Sequence, residues 1–250
     1  MILPDAFIAR PFAHRALHDL ASGRPENSIE AISAAIGAGY GIEIDLQLSA
    51  DGVPVVFHDY DLARLTGQSG PVAQRRAADL AAIRLSGGQS GIPSLPDVLD
   101  HVGGRVPLLI EVKDQDGAMG PDVGRLERAA AQLLSAYSGP VAVMSFNPHS
   151  VAVLAEFLPQ VPRGIVTESY SAESTPTLPG PVRDRLREIP DYDRVGARFI
   201  SHEAADLGRP RVAELKQAGA AILCWTVRSP EAEARARKVA DQVTFEGYLA

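Results

Sequence analysis

The sequence predicts an α/β protein: a (β/α)8 TIM barrel with a small insertion over the C-terminal face of the barrel. Three observations carry this. Short runs rich in Val, Ile and Leu alternate with longer stretches of helical period, the mark of βαβ units and a parallel sheet. About eight such units fit the chain, which favours a closed barrel over an open sheet. The chain has 250 residues, the usual length of one such barrel, so residues 1–250 are expected to form a single domain.

The elements follow in order. A first strand at 12–15 leads through Pro25-Glu26-Asn27-Ser28 into a helix at 27–37, with Asn27 or Ser28 as its N-cap. The second strand, 41–48, reads GIEIDLQL, and a turn at Asp51-Gly52 separates it from a third at 53–58. Residues 59–96 are long for one crossover and carry glycines at 87, 88 and 91; they are read as the insertion over the strand ends. Further strands are expected at 107–113, 141–145, 163–167, 197–201, 221–227 and 242–245, and further helices at 124–137, 150–157 and 230–239. Residues 169–194 hold Pro176, Pro179, Pro181 and Pro190 and few periodic apolar positions, which predicts a structured excursion or a mobile lid.

Composition narrows the function. Apolar residues make up 46% and charged residues 22%, ordinary for a globular protein. The formal net charge of −7 disfavours nucleic acid and anionic membranes as partners, although one metal ion and a few basic groups reverse the field locally. A single cysteine, Cys224, excludes an internal disulfide, and no apolar run approaches the ~18 residues of a membrane span. The N-terminus lacks the pattern of a signal peptide, so the expected location is cytoplasmic, without stable membrane insertion.

On a strand, side chains alternate, so Glu43 and Asp45 share one face while Ile42, Ile44 and Leu46 take the other. Such a pair alone is most often a solvated outer face. Here Glu111 and Lys113 end a second apolar strand in PLLIEVKD, and His58-Asp59 ends a third. Three strand ends with inward-directed ionisable groups point to a site at the C-terminal face. Two carboxylates facing a barrel mouth resist desolvation without a cation between them. Glu43, Asp45 and Glu111 form an all-oxygen set that suits Mg²⁺ or Ca²⁺ better than zinc.

The order HRA at 14–16, PENS at 25–28, EID at 43–45, DGVPVVFHD at 51–59, EVK at 111–113 and WTV at 225–227 resembles the glycerophosphodiester phosphodiesterase family over nearly the whole chain. That resemblance implies metal-dependent hydrolysis of a glycerophosphodiester to sn-glycerol 3-phosphate and an alcohol. It implies His14 and His58 as general acid and base, and Glu43, Asp45 and Glu111 as metal ligands. Arg15 and Lys113 would hold the phosphate, Trp225 would line the glycerol side, and Phe146 of the family-like Ser145-Phe146 would pack in the pocket wall. The chain departs from the family pattern at Ala16, where glycine is usual. If that position needs positive φ, alanine adds strain of roughly 1 kcal/mol; altered substrate fit is the expected outcome. Glu246 stands where the family often has aspartate, and receives no role. Two rival readings are a related barrel acting on lysophospholipids or another diester, and a silent barrel that binds a phosphorylated ligand. His18 is expected at the mouth or in a surface loop, His149 and His202 as capping or surface residues, His101 in a polar loop, and Cys224 as a core thiol.

Overall fold

A computed structural model describes residues 3–250. Its strands are β1 (Phe12–Ala13), β2 (Gly41–Leu48), β3 (Pro54–Val56), β4 (Leu108–Val112), β5 (Val141–Ser145), β6 (Arg163–Thr167), β7 (Phe199–Glu203), β8 (Ala221–Val227) and β9 (Gln242–Phe245). The helices are α1 (Ile29–Ala38), α2 (Ala63–Thr66), α3 (Ala77–Ala82), α4 (Leu95–Val102), α5 (Arg125–Leu134), α6 (Pro148–Phe157), α7 (Gly180–Arg187), α8 (Pro210–Gln217) and α9 (Pro230–Ala236). Neighbour pairs run β1-β2-β4-β5-β6-β7-β8-β9, and β9 pairs back with β1. All these pairings are parallel, so the sheet closes as the predicted eight-stranded barrel.

The strand expected at 53–58 forms as β3, but it is not a barrel stave. It folds back antiparallel on the C-terminal end of β2, Leu46 opposite Val56 and Leu48 opposite Pro54. The Asp51-Gly52 turn explains the reversal. Gly52 sits at φ 82 and donates its N–H to Ser49 O, while the Ser49 N–H reaches Val53 O. A parallel stave would need a crossover of a dozen residues, and this link is far shorter.

Alternation along β2 sorts its side chains as expected. Ile42, Ile44 and Leu46 pack outward against Ala31 and Ile32 of α1 and Leu99 of α4. The lower bore is filled by Phe12, Leu109, Ala142, Phe199 and Leu223, with Leu3 and Phe7 closing the bottom. Gly41 and Gly164 are required there, since a Cβ on either would collide with the ring of Phe12 or Phe199. The insertion after β3 has its own small core of Val55, Phe57, Leu62, Val72, Leu80 and Ile92. Residues 169–194 form a structured excursion in which Tyr170, Leu178 and Leu186 pack together against Phe146 and Met119. Among the described residues no helix is long and apolar enough to cross a membrane.

Ser28, rather than Asn27, caps α1, its Oγ accepting the Ala31 N–H. That leaves Asn27, fully buried at φ 58, free for another task.

Candidate active site

The bore above Leu109 and Phe199 is polar, and the groups picked out in the sequence meet there. His14 follows β1, Glu43 and Asp45 lie in β2, His58 follows β3, Glu111 lies in β4 with Lys113 just beyond, Phe146 follows β5, and Trp225 lies in β8. All of these except Asp45, together with Arg15, line one cavity of about 170 Å³. Asp45 is buried behind this wall, held by Lys113 and Arg15 of the wall and by Asn27.

Register places the carboxylates. Asp45 is the direct neighbour of Glu111 across β2 and β4, and Glu43 lies two residues below on the same face. One oxygen from each falls within 4.8 Å of the others, and all three residues are buried. Lys113 Nζ bridges Asp45 Oδ1 at 2.8 Å and Glu111 Oε1 at 2.7 Å. Asn27 Nδ2 donates to Asp45 Oδ2 at 2.9 Å, and the Arg15 N–H donates to Glu43 Oε2 at 2.8 Å. Burial would raise the Asp45 carboxyl, but Lys113, His58 and Arg15 outweigh it and hold it well below the ordinary range. Burial, then repulsion from Asp45 and Glu111, pushes the Glu43 carboxyl well above that range. Lys113, despite its own burial, is held firmly protonated by Asp45 and Glu111. Three crowded carboxylates, one of them strained toward neutrality, make an oxygen set that fits a hard divalent cation.

Each histidine has a carboxylate behind it. His14 Nδ1 lies 2.5 Å from Glu246 Oε2, and Arg228 Nε donates to Glu246 Oε1 at 2.8 Å. His58 Nδ1 lies 2.7 Å from Asp59 Oδ1, and Arg64 Nε donates to Asp59 Oδ2 at 2.6 Å. Burial would raise the Glu246 carboxyl, but the hydrogen bonds from His14 and His18 hold it far below the usual range. Asp59 is held low in the same way by His58 and Arg64. Ionised partners make Nδ1 the donor in both rings and leave Nε2 without its proton while the ring is neutral. Burial lowers the His14 pKa below its ordinary 6.5 even though Glu246 works against it. The two halves are tied together by Glu26, whose Oε1 accepts from both Arg15 Nη1 and Arg64 Nη2 at 2.8 Å.

Phe146 and Trp225 meet edge to face, 5.5 Å between centroids, and Trp225 Nε1 donates to Ser201 O. Ala16 does sit at positive φ, 65, so the strain of roughly 1 kcal/mol applies. Its methyl packs in the layer outside the bore and does not line the cavity, so the effect on substrate fit expected from sequence has no contact behind it.

The remaining histidines need two corrections. His202 is neither a cap nor a surface residue: it is fully buried, with Thr167 Oγ1 2.7 Å from Nδ1 and Asp206 Oδ2 3.2 Å from Nε2. His101 lies in the last turn of α4, not in a loop, and meets Ser33 Oγ. His149 is half-buried in the first turn of α6, where Asn147 is the cap. His18 lies at the mouth, its Nε2 3.5 Å from Glu246 Oε2. Cys224 is a buried free thiol, pushed up to about 12 by burial.

Burial of His202 lowers its pKa below 6.5 against the opposing pull of Asp206. A histidine depressed in the folded state takes up its proton more readily on unfolding. Its contribution is complete above about pH 6.5 and is lost as pH falls through the folded value. Melting temperature should therefore decline from pH 7 toward pH 5, and His202→Gln should flatten that decline. An unchanged slope in the variant would assign the loss to other groups.

Sequence reasoning missed the second layer. Glu246 is 232 residues from His14, and only closure of β9 on β1 brings them together. Asp59 was legible only as part of a His-Asp pair, and Asn27 only as a cap. Glu168, Ser201 and Thr244, which also line the cavity, carried no signal beyond lying at or near strand ends.

The model of the glycerophosphoryl diester phosphodiesterase family matches residues 14–243. YhdW of Bacillus subtilis is 28% identical over 229 residues, 87% of each chain. A phosphodiesterase of Oleispira antarctica, solved with the product sn-glycerol-3-phosphate, superposes with a TM-score of 0.75 at 22% identity, covering 96% of this chain and 94% of that one. A glycerophosphodiester phosphodiesterase of Thermotoga maritima gives 0.68 at 22% identity and 94% of each chain. The protein is thus a barrel hydrolase of phosphoric diesters. It belongs to the glycerophosphoryl diester phosphodiesterase family.

Proposed function

We propose that this chain hydrolyses glycerophosphodiesters to sn-glycerol 3-phosphate and an alcohol, with a divalent cation and a pair of histidines. The observation that carries the reading is the pair of histidine–carboxylate dyads, His14–Glu246 and His58–Asp59, opening on one cavity beside three carboxylates. Arg15 and Lys113 offer positive charge to the phosphate, and Phe146 and Trp225 wall the space beside it. Glu43, Asp45 and Glu111 would hold Mg²⁺ or Ca²⁺, which supplies charge neutralisation at the phosphoryl group.

In this reading the glycerol 2-hydroxyl attacks phosphorus, and one histidine takes its proton. The bond from phosphorus to the alcohol oxygen breaks as the other histidine donates a proton to that oxygen. Water then opens the cyclic phosphate with the proton transfers reversed. A phosphodiester is anionic and slow to hydrolyse, so fixed charge and position account for most of the acceleration. The buried, unpaired Cys224 agrees with a cytoplasmic setting.

The test is an assay of glycerophosphocholine and glycerophosphoethanolamine with Mg²⁺, Ca²⁺, Mn²⁺ and Zn²⁺. Release of glycerol 3-phosphate that EDTA stops is expected, with a loss of about 10²- to 10⁴-fold in His14→Ala and His58→Ala. Turnover of lysophospholipids alone, or binding without turnover at any metal, would replace this reading with one of its rivals.

A further inference from the structure

A second space of about 460 Å³ opens beside the first and shares His58, Glu111, Lys113, Phe146 and Glu168 with it. His14, Ser201, Trp225 and Thr244 line only the inner space; Tyr60, Asp114 and Met119 line only the outer one. The reacting phosphate must sit where the two meet, within reach of His58 and Lys113. The inner space, about 170 Å³ and walled by strand residues, suits a constant group the size of glycerol. The larger outer one, walled by loops, suits a group that varies.

Glu168 stands at the junction, just past the end of β6, and is half-buried. Several carboxylates around the mouth have cations: Asp59 has Arg64, Glu26 has Arg15 and Arg64, Glu111 has Lys113, and Glu246 has Arg228; Asp114 instead takes N–H groups from Asn147 and Met119. Glu168 has none among the described residues. Its charged neighbour is another carboxylate, Glu203, and burial together with that neighbour pushes the Glu168 carboxyl above its ordinary range, a shift that a bound cation would oppose. Facing the same space are two aromatic rings. Phe146 is fixed against Trp225, and Tyr60 is half-exposed with its hydroxyl donating to Asp114 O at 2.6 Å. A carboxylate without a paired cation, lining the same space as two aromatic rings, suits an ammonium group.

We propose that the outer space receives the leaving alcohol and that Glu168 selects alcohols bearing a primary or quaternary ammonium over neutral ones. The inference rests on the diesterase reading above and adds the identity of the alcohol. Carboxylate and rings attract the ammonium in the bound substrate, so the selection is read in KM more than in kcat.

The test compares kcat/KM for glycerophosphoethanolamine and glycerophosphocholine with that for glycerophosphoglycerol, whose alcohol is neutral, under one metal condition. The native chain should favour the ammonium substrates by about tenfold. Glu168→Gln should bring that ratio close to one, the change lying in the KM of the ammonium substrates, with a native melting curve. Equal kcat/KM for the three in the native chain, or a Glu168→Gln loss shared equally by all of them, overturns the role of Glu168 and leaves the diesterase standing. No turnover of any of the three would remove the diesterase reading and this inference together.

Discussion

Lys113→Met is expected to lower the melting temperature by roughly 6–20 °C, and millimolar Mg²⁺ or Ca²⁺ to recover more of it in the variant than the native chain gains. The magnitude follows from breaking a buried ionic cluster, about 3–5 kcal/mol, at roughly 2–4 °C per kcal/mol for a chain of this size. Lys113 Nζ bridges Asp45 and Glu111 in a pocket that Glu43 also enters, and Arg15 Nε stands 3.7 Å from Asp45 Oδ2. Methionine matches the length of the stem but supplies no charge. The three carboxylates are then left to repel one another in a desolvated bore, and Glu43 already shows that repulsion. A divalent ion restores the missing positive charge, which is why the variant should respond more strongly. Diester turnover should fall by about 10²-fold or more as the phosphate loses a fixed charge. Thermal melts with and without metal check both parts; a Tm within a degree of native would show that Lys113 is dispensable to the cluster.

Glu246→Gln is expected to cut turnover by about 10²- to 10⁴-fold while leaving the barrel folded. The carboxylate accepts the proton of His14 Nδ1 and so reserves Nε2 for the cavity. An amide can present its NH₂ to Nδ1 and turn the ring to the wrong tautomer. The pH dependence gives the second readout. Glu246 raises the His14 pKa against the larger effect of burial, so its removal lets that pKa fall further. The limb of the kcat/KM profile owned by His14 should move to lower pH. Because ring and carboxylate act as one unit, His14→Ala with Glu246→Gln should be hardly worse than His14→Ala alone. A profile that does not move, or losses that multiply, would mean that Glu246 acts elsewhere.

These two residues show what the chain reveals by itself. Lys113 was legible because it follows Glu111 at a spacing of two on an apolar strand, and strand alternation gives both one direction. The same rule placed Glu43 and Asp45, and the observed register puts Asp45 against Glu111. Glu246 was not legible, because its partner lies at the other end of the chain. Local periodicity contains no information about which strands become neighbours when a barrel closes. That the strand at 53–58 stays outside the barrel has a related cause. Apolar content marks a strand but not its direction, and only the five-residue link between β2 and β3 excludes a parallel crossover. Asn27 illustrates a third limit: a polar residue before a helix reads as a cap, whereas its φ of 58 turns the amide onto Asp45.

The position of β3 gives the site two mechanical parts. His14 and the three carboxylates are carried by staves whose spacing the closed sheet dictates. His58 is carried by an arm: a hairpin strand that continues into an appended module with an apolar centre of its own. The arm is fastened to β2 by the Phe57 N–H on Asp45 O and by Gln47 Nε2 on His58 O, and an ion-pair chain runs on from Asp59 through Arg64 and Glu26 to Arg15. His58 thus owes its place to a hairpin and an ion-pair chain, and His14 owes its place to closure of the barrel, so the two halves of the site are set by different parts of the fold.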